Sequence, residues 1–334
     1  MILLTFELVV LIMDNMYWPV YKNIEREFLK IAEYINICDE QLKVYSFHIA
    51  DLIIRCAIEI EAISKELYKR LGGNMNPVDE NGKTRDLYFD TDCLGLLEEK
   101  WDISKKKVKV SALEVFLTRE ENIILTPLKK SNKRGSSGSQ WKKAYQALKH
   151  DRRNSLKCAT IENLISSMAA LFILNLYYKD ETSDLGRLYM NDRTFDSRAG
   201  SDIFNAYVVS ATTLRMELEM DDLNIINIDE EKRKESIFII KYTDSTYREM
   251  HRAFCLDYYE TKSNFDKSEV IQKYVAEHPE SKEKSMNEIC IEAGGHELLC
   301  KIFVNRHSLN SKDYRTEVIV NKNEDIYQKL KYID

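Results

Sequence analysis

One histidine stands in the most basic stretch of this chain, Trp141-Lys-Lys-Ala-Tyr-Gln-Ala-Leu-Lys-His150-Asp-Arg-Arg153. Ten Lys or Arg fall between Lys129 and Lys157, against one acid, Asp151, in a protein whose formal net charge is -6. Charge gathered against the trend of the whole chain needs a reason, and a polyanionic partner is the first to consider. RNA can be cut without a metal if a base takes the 2′-hydroxyl proton and a cation stabilises the phosphorane. His150 suits the first role near neutral pH, and Lys143, Arg152 or Arg153 the second. Lys149, Lys142, Lys133, Arg134, Lys157 and Tyr145 are candidate RNA contacts, through charge or through a ring for a base to stack on. The alternative is a structural histidine in a solvated basic helix.

Spacing decides whether these groups can meet. In a helix beginning near Trp141, Lys143 and His150 lie two turns apart on one side, while Trp141, Ala144 and Leu148 make an apolar stripe. If the helix ran on, Arg153 and Lys157 would join the Lys143 face, but a break is expected near Asn154-Ser155. Asp151 points elsewhere and serves local charge balance or capping. Glu61 and Lys65 are an i,i+4 pair on an earlier helix. They form either a surface ion pair or, with Glu61 turned inward, a support that orients His150.

Helical periodicity predicts elements over 14–36, 41–71, 93–101, 141–151 and 161–178, with Gly72-Gly73 closing the second and Thr160 capping the last. Residues 107–116 alternate and read as extended. The polar run 126–140 is either a flexible connector or a flap over the substrate. Residues 164–178 are apolar nearly all round but short, which fits a buried core helix rather than a membrane span. The apolar stretch Ile2–Met13 reads as a core-packed leader or as translation upstream of a start at Met13. With Gly 10 and Pro 4, the composition favours helix. The fold class expected is mainly α: a helical bundle over 1–182, then a small α+β domain over 200–334. The polar segment 179–201 is the boundary. Strands are expected at 236–242 and 315–320, and helices at 245–261, 267–278, 281–293 and 323–331. Residues 200–334 lack a Gly-rich phosphate loop and a nucleophile elbow, and read as a sensor, a dimer element or a docking module for a protein partner.

Seven cysteines, odd in number and never paired as CxxC, imply reduced buried thiols and a cytoplasmic setting. Six histidines show no ligand spacing, so neither zinc nor another metal or cofactor is expected. No membrane partner is expected either.

The order of these features is similar to that of a known family. A long helix carries Cys56-Ala-Ile-Glu-Ile-Glu-Ala-Ile-Ser-Lys65-Glu-Leu, and a basic loop follows. Then come Tyr145-Gln-Ala-Leu-Lys149-His150-Asp151-Arg152, an Ala159-Thr160 step and an apolar last helix. Over roughly residues 14–180 the chain resembles the HEPN superfamily, in its divergent branch with a Tyr-Asn-x-x-Lys-His-x-Arg type signature. The resemblance implies a helical bundle that pairs into homodimers. It also implies a metal-independent endoribonuclease or RNA-binding effector of toxin–antitoxin, abortive-infection or CRISPR-associated defence. That family's usual site is an arginine, an apolar residue, a short variable run and a histidine. His150 takes the histidine place and Lys143, followed by Ala144, the arginine place, so the planar fork that grips phosphate is missing there. Gln146 stands where the branch often has Asn, and Arg152 or Arg153 is expected to supply the guanidinium. The alternative is a bundle that has lost catalysis and holds RNA, a nucleotide or an acidic partner.

Overall fold

The computed structural model describes residues 15–187, 194–212, 215–219, 222–226, 229–307 and 313–327. The stretch Ile2–Met13 and residues 328–331 of the expected last helix lie outside the described residues; 323–327 are bends rather than helix.

Helix α1 spans Tyr17–Tyr34 and α2 spans Phe47–Arg70. In α1, Tyr21, Ile24 and Phe28 recur at helical spacing and are fully buried. The second helix starts later than its periodicity suggested. Asp39–Lys43 wind as a 3-10 turn, and Ser46 then caps α2 by accepting from the Ile49 amide. Gly72, at φ 77°, carries the chain out of its far end. A π-helical turn, Phe89–Leu94, leads into α3, Gly95–Trp101. Its wide winding, with the Cys93 amide bonded back to the Tyr88 carbonyl, leaves the consecutive residues Phe89 and Asp90 both buried. Helix α4 spans Gln140–His150 and α5 spans Ile161–Lys179, the latter capped by Thr160 as expected.

The centre of the molecule is α5, which packs on α1, α2 and α4. It is long and apolar enough to cross a membrane, but it is buried along nearly its whole length inside the fold. An all-round apolar helix needs cover on every side. Three bundle helices leave one side open, and β structure closes it. Strand β1 (Val108–Val110) pairs antiparallel with β2 (Ile124–Leu125) and, in the chain beyond α5, skips β3 (Ser183–Arg187) to pair with β4 (Phe204–Ala206). A four-stranded sheet runs β3, β7 (Arg315–Val320), β6 (Phe238–Tyr242), β5 (Val208–Ser210). The β6–β7 pair is antiparallel, with Ile240 opposite Val318, and β6–β5 is parallel.

The expected boundary at 182–200 therefore does not separate two cores. Ile203, Phe204, Ile237, Phe238, Val318 and Val320 belong to the same hydrophobic cluster as α5. Phe204 lies 5.7 Å from Phe172, centroid to centroid, and the Tyr177 hydroxyl donates to the Asn321 carbonyl at 2.7 Å. Buried Glu25 on α1 accepts from the Ser201 hydroxyl and, at 2.9 Å, from the Asp202 amide, joining the two parts again. A second, small core forms among α6 (Asp244–Lys267), α7 (Glu269–Glu277) and α8 (Met286–Ile302), around Ile271, Ile289, Cys290 and Ile302. Gly295, at φ 65°, kinks α8. The whole is mainly α-helical with a later mixed α/β region.

At the seam between bundle and sheet sits Lys106. It is 0% exposed, and its ammonium nitrogen has no hydrogen-bond partner. Burial pushes it from its ordinary 10.5 down to about 7; Asp102 works against the fall and Arg233 adds to it.

Candidate functional site

Helix α4 buries Trp141, Ala144, Tyr145 and Leu148, and the Trp141 indole donates to the Pro127 carbonyl at 2.8 Å. That choice of inner face turns Lys143, Gln146 and His150 outward in one row, at i, i+3 and i+7. The row lines a cleft of about 560 Å³. Its opposite wall is built by Phe89 and Asp90 of the π turn and by Arg134, Gly135 and Ser136 of the basic loop.

The basic loop is neither a loose connector nor an open flap. Lys142 runs inward from α4, 4% exposed, and its ammonium reaches Asp90 Oδ2 at 3.2 Å, the Ser131 carbonyl at 2.9 Å and the Lys133 carbonyl. Arg134 Nε donates to Asp90 Oδ1 at 3.1 Å, and its guanidinium carbon lies 3.5 Å from the centroid of the Tyr88 ring. Asp90 thus ties loop, α4 and π turn together. Burial alone would raise its carboxyl, but the Thr91 amide, Lys142 and Arg134 outweigh that and hold it below the ordinary value. Burial lowers the Lys142 ammonium, and Asp90 restores part of the loss.

Several candidates fall elsewhere. Lys142, expected to contact RNA, is an internal strut instead. Tyr145 is 4% exposed, so its ring is closed to a base; exposed Lys149 lies above it at 5.7 Å. Helix α4 ends at His150, within a residue of its expected end, and the chain turns at Asp151, φ -149°. Asp151 caps the short turn Arg152–Ser155, accepting from the Asn154 amide at 3.2 Å and the Asn154 side chain at 2.8 Å, which lower its carboxyl. This break takes Arg153 and Lys157 off the Lys143 face, and neither they nor Arg152 line the cleft. Arg152 instead pairs with Asp51 at 2.8 Å. Glu61 bonds Lys65 at 2.7 Å, a half-exposed pair with no bond to His150. Lys133 is exposed on the loop, where its amide donates to the Lys130 carbonyl and its own carbonyl accepts from the Lys142 ammonium.

The cleft therefore unites His150 and Lys143, as expected from their spacing, with Arg134 rather than Arg152 or Arg153. Neither the His150 nor the Lys143 side chain makes a hydrogen bond or ion pair with another described residue, although both backbones belong to the helix. Asp90, Phe89 and Gln146 were not singled out as site residues from sequence. One signal was present: a segment with ten cations and one acid must find its counter-charges elsewhere, and Asp90 and Asp92 flank Thr91 just upstream.

Among the described residues no three His, Cys, Asp or Glu side chains gather into a group that could hold a metal. Cys56, Cys93, Cys255 and Cys290 are buried, and Cys300 is exposed. No protein-family model matches this chain, and neither any curated protein nor any solved structure does so.

Proposed function

We propose that this chain binds single-stranded RNA in the α4 cleft and cuts it without a metal, as an HEPN-like endoribonuclease. The observation that carries the reading is the meeting of Lys143, His150 and Arg134 in one cleft, with the side chains of the first two uncommitted to any described neighbour. The cations at 129, 130, 133, 153 and 157 flank this cleft in sequence and supply the field that draws in a polyanion. A cleft of about 560 Å³ admits an unpaired nucleotide and not a duplex, so the substrate is single-stranded.

In the proposed reaction His150 takes the 2′-hydroxyl proton, and the 2′ oxygen attacks the adjacent phosphorus. The bond from phosphorus to the 5′ oxygen breaks. One product carries a 2′,3′-cyclic phosphate, and the other a 5′-hydroxyl whose proton comes from Lys143 or water. Lys143 and Arg134 face the charge that builds on the non-bridging oxygens.

The test is incubation of purified protein with labelled single-stranded RNA and with tRNA in the presence of a chelator. Cleavage that leaves cyclic phosphate ends, is blocked by a 2′-deoxy nucleotide at the cut and is lost in His150→Ala supports the reading. Intact RNA with wild type and variant alike removes it. Lysine at position 143 favours a second reading, a module that only holds RNA. Binding that falls steeply with salt and is unchanged by His150→Ala, without any cleavage, would establish that one. Pairing of two copies, which the HEPN resemblance implies, predicts a dimer mass in light scattering at micromolar concentration.

A further inference from the structure

We propose that Arg134 is the phosphate-gripping residue of this cleft, supplying from the basic loop the guanidinium that Lys143 cannot, with Asp90 as its positioning residue. The inference rests on the functional reading above and specifies how that site holds its substrate. Lys143 offers a point charge on a flexible stem, which can face one phosphate oxygen but not clasp two in a plane. Arginine donates from a rigid fork. Loose on a basic loop, such a fork would lose much of its value to side-chain entropy. Here it is fixed twice. Its Nε edge is spent on Asp90 Oδ1 at 3.1 Å, and its plane is held against the Tyr88 ring at 3.5 Å. The side chain stays 49% exposed and lines the cleft that Lys143 and His150 also line from α4.

Asp90 itself has little freedom. Its second oxygen is engaged by the buried Lys142 ammonium, so the carboxylate that aims Arg134 is anchored to the helix that carries Lys143 and His150. The two walls of the cleft are thereby held in one register, which is what a two-sided grip on a phosphodiester requires. The division of labour follows: Arg134 binds the non-bridging oxygens as a pair, Lys143 adds charge as it builds, and His150 moves the proton.

Three variants test this: Arg134→Ala, Arg134→Lys, and Arg134→Ala combined with Lys143→Arg. Each is read by the cleavage rate on single-stranded RNA and by affinity for the same sequence with 2′-O-methyl riboses, which cannot be cut. Arg134→Ala should slow cleavage by about 100-fold. Arg134→Lys should keep the salt dependence of binding, because charge is unchanged, yet remain about 100-fold slow, because the fork is gone. Placing arginine at 143 in the Arg134→Ala background should restore at least about 10-fold, a rescue that a merely structural loop residue would not show. If Arg134→Ala melts too low to assay, Arg134→Lys, which keeps a cation for Asp90, decides. Wild-type-like cleavage in Arg134→Ala or Arg134→Lys, or no rescue by Lys143→Arg, overturns the inference and leaves the nuclease reading standing. A wild type that binds without cutting removes the nuclease reading alone. Arg134 is then judged by whether its alanine variant loses about 10-fold or more in affinity for the methylated RNA at constant salt. A wild type that neither binds nor cuts overturns both.

Discussion

Replacing Lys106 by methionine should stabilise the protein, and by an amount that depends on pH in a calculable way. Lys106 is sealed at the seam of bundle and sheet, without a partner for its ammonium, and burial brings it from 10.5 to about 7. Between those values the unfolded chain binds a proton that the folded chain does not, so stability rises with pH across that window. Below about pH 7 the folded state carries the buried cation and the whole penalty is present. At about 1.4 kcal/mol per tenfold change in proton affinity, the penalty is about 5 kcal/mol at pH 6 and about 3 kcal/mol at pH 8.5. By pH 10 it falls under about 1 kcal/mol. Methionine has nearly the same length and no charge, so Lys106→Met should recover most of this, reduced by whatever compact structure the denatured chain keeps. Urea unfolding followed by tryptophan fluorescence suits the measurement, because Trp101 stacks on Tyr177, 4.8 Å away, beside the same seam. Titrations at pH 6, 8.5 and 10 give the difference directly, and groups shared by both proteins cancel. A difference that stays constant with pH, or a methionine variant less stable than wild type at pH 6, refutes the reasoning.

Further outcomes follow from the same geometry. Asp90→Ala strands the buried Lys142 ammonium and should cost about 3–5 kcal/mol, seen as a lower melting temperature together with faster proteolysis of the 126–140 loop. His150→Gln, at an exposed helix end, should leave stability within about 0.5 kcal/mol of wild type while abolishing RNA cleavage; a large loss of stability would mark the histidine as structural. Glu25→Ala removes the acceptor that joins α1 to Ser201 and Asp202 and should cost about 3 kcal/mol by equilibrium unfolding. The Asp39 carboxyl is held down to about 2, first by the Thr118 hydroxyl, then by Asn122 and the Thr118 and Arg119 amides. Its contribution is therefore complete above the ordinary carboxylate value and lost as pH falls through about 2. Asp39→Ala should speed amide exchange at Thr118 and Arg119 at pH 6, and equal exchange in the two proteins at that pH would contradict it.

The main helices were legible because their apolar positions repeat at 3.6 residues over long spans, and α5 was legible because it is apolar throughout. The ends were less so. Ser46 capped α2 later than the periodicity alone suggested, whereas α4 ended within a residue of its expected end and Asp151 took the capping role read for it. Val108–Val110 fell within the alternating stretch 107–116, but Phe204–Ala206 and Val208–Ser210 are too short to show a period of two, so these parts of the sheets past residue 182 were invisible. In the site, Lys143 and His150 share one helix, and counting along it placed them together. Arg134 could not be placed that way. It reaches the cleft because Asp90, distant in sequence, folds the loop back, and proximity along the chain pointed instead to Arg152 and Arg153.

The shared core also has a consequence for synthesis. Helix α5 leaves the ribosome with its bundle partners already made, but strands that cover its remaining side come later, β7 about 140 residues after it. At ~5–20 residues per second, the nascent chain carries that uncovered apolar side for ~10–30 s. A newly made copy thus completes this core only after β7 has been made. Chains cut short by premature termination would expose a sticky flank that chaperones and proteases recognise, so truncated products should be cleared rather than persist as half-active bundles.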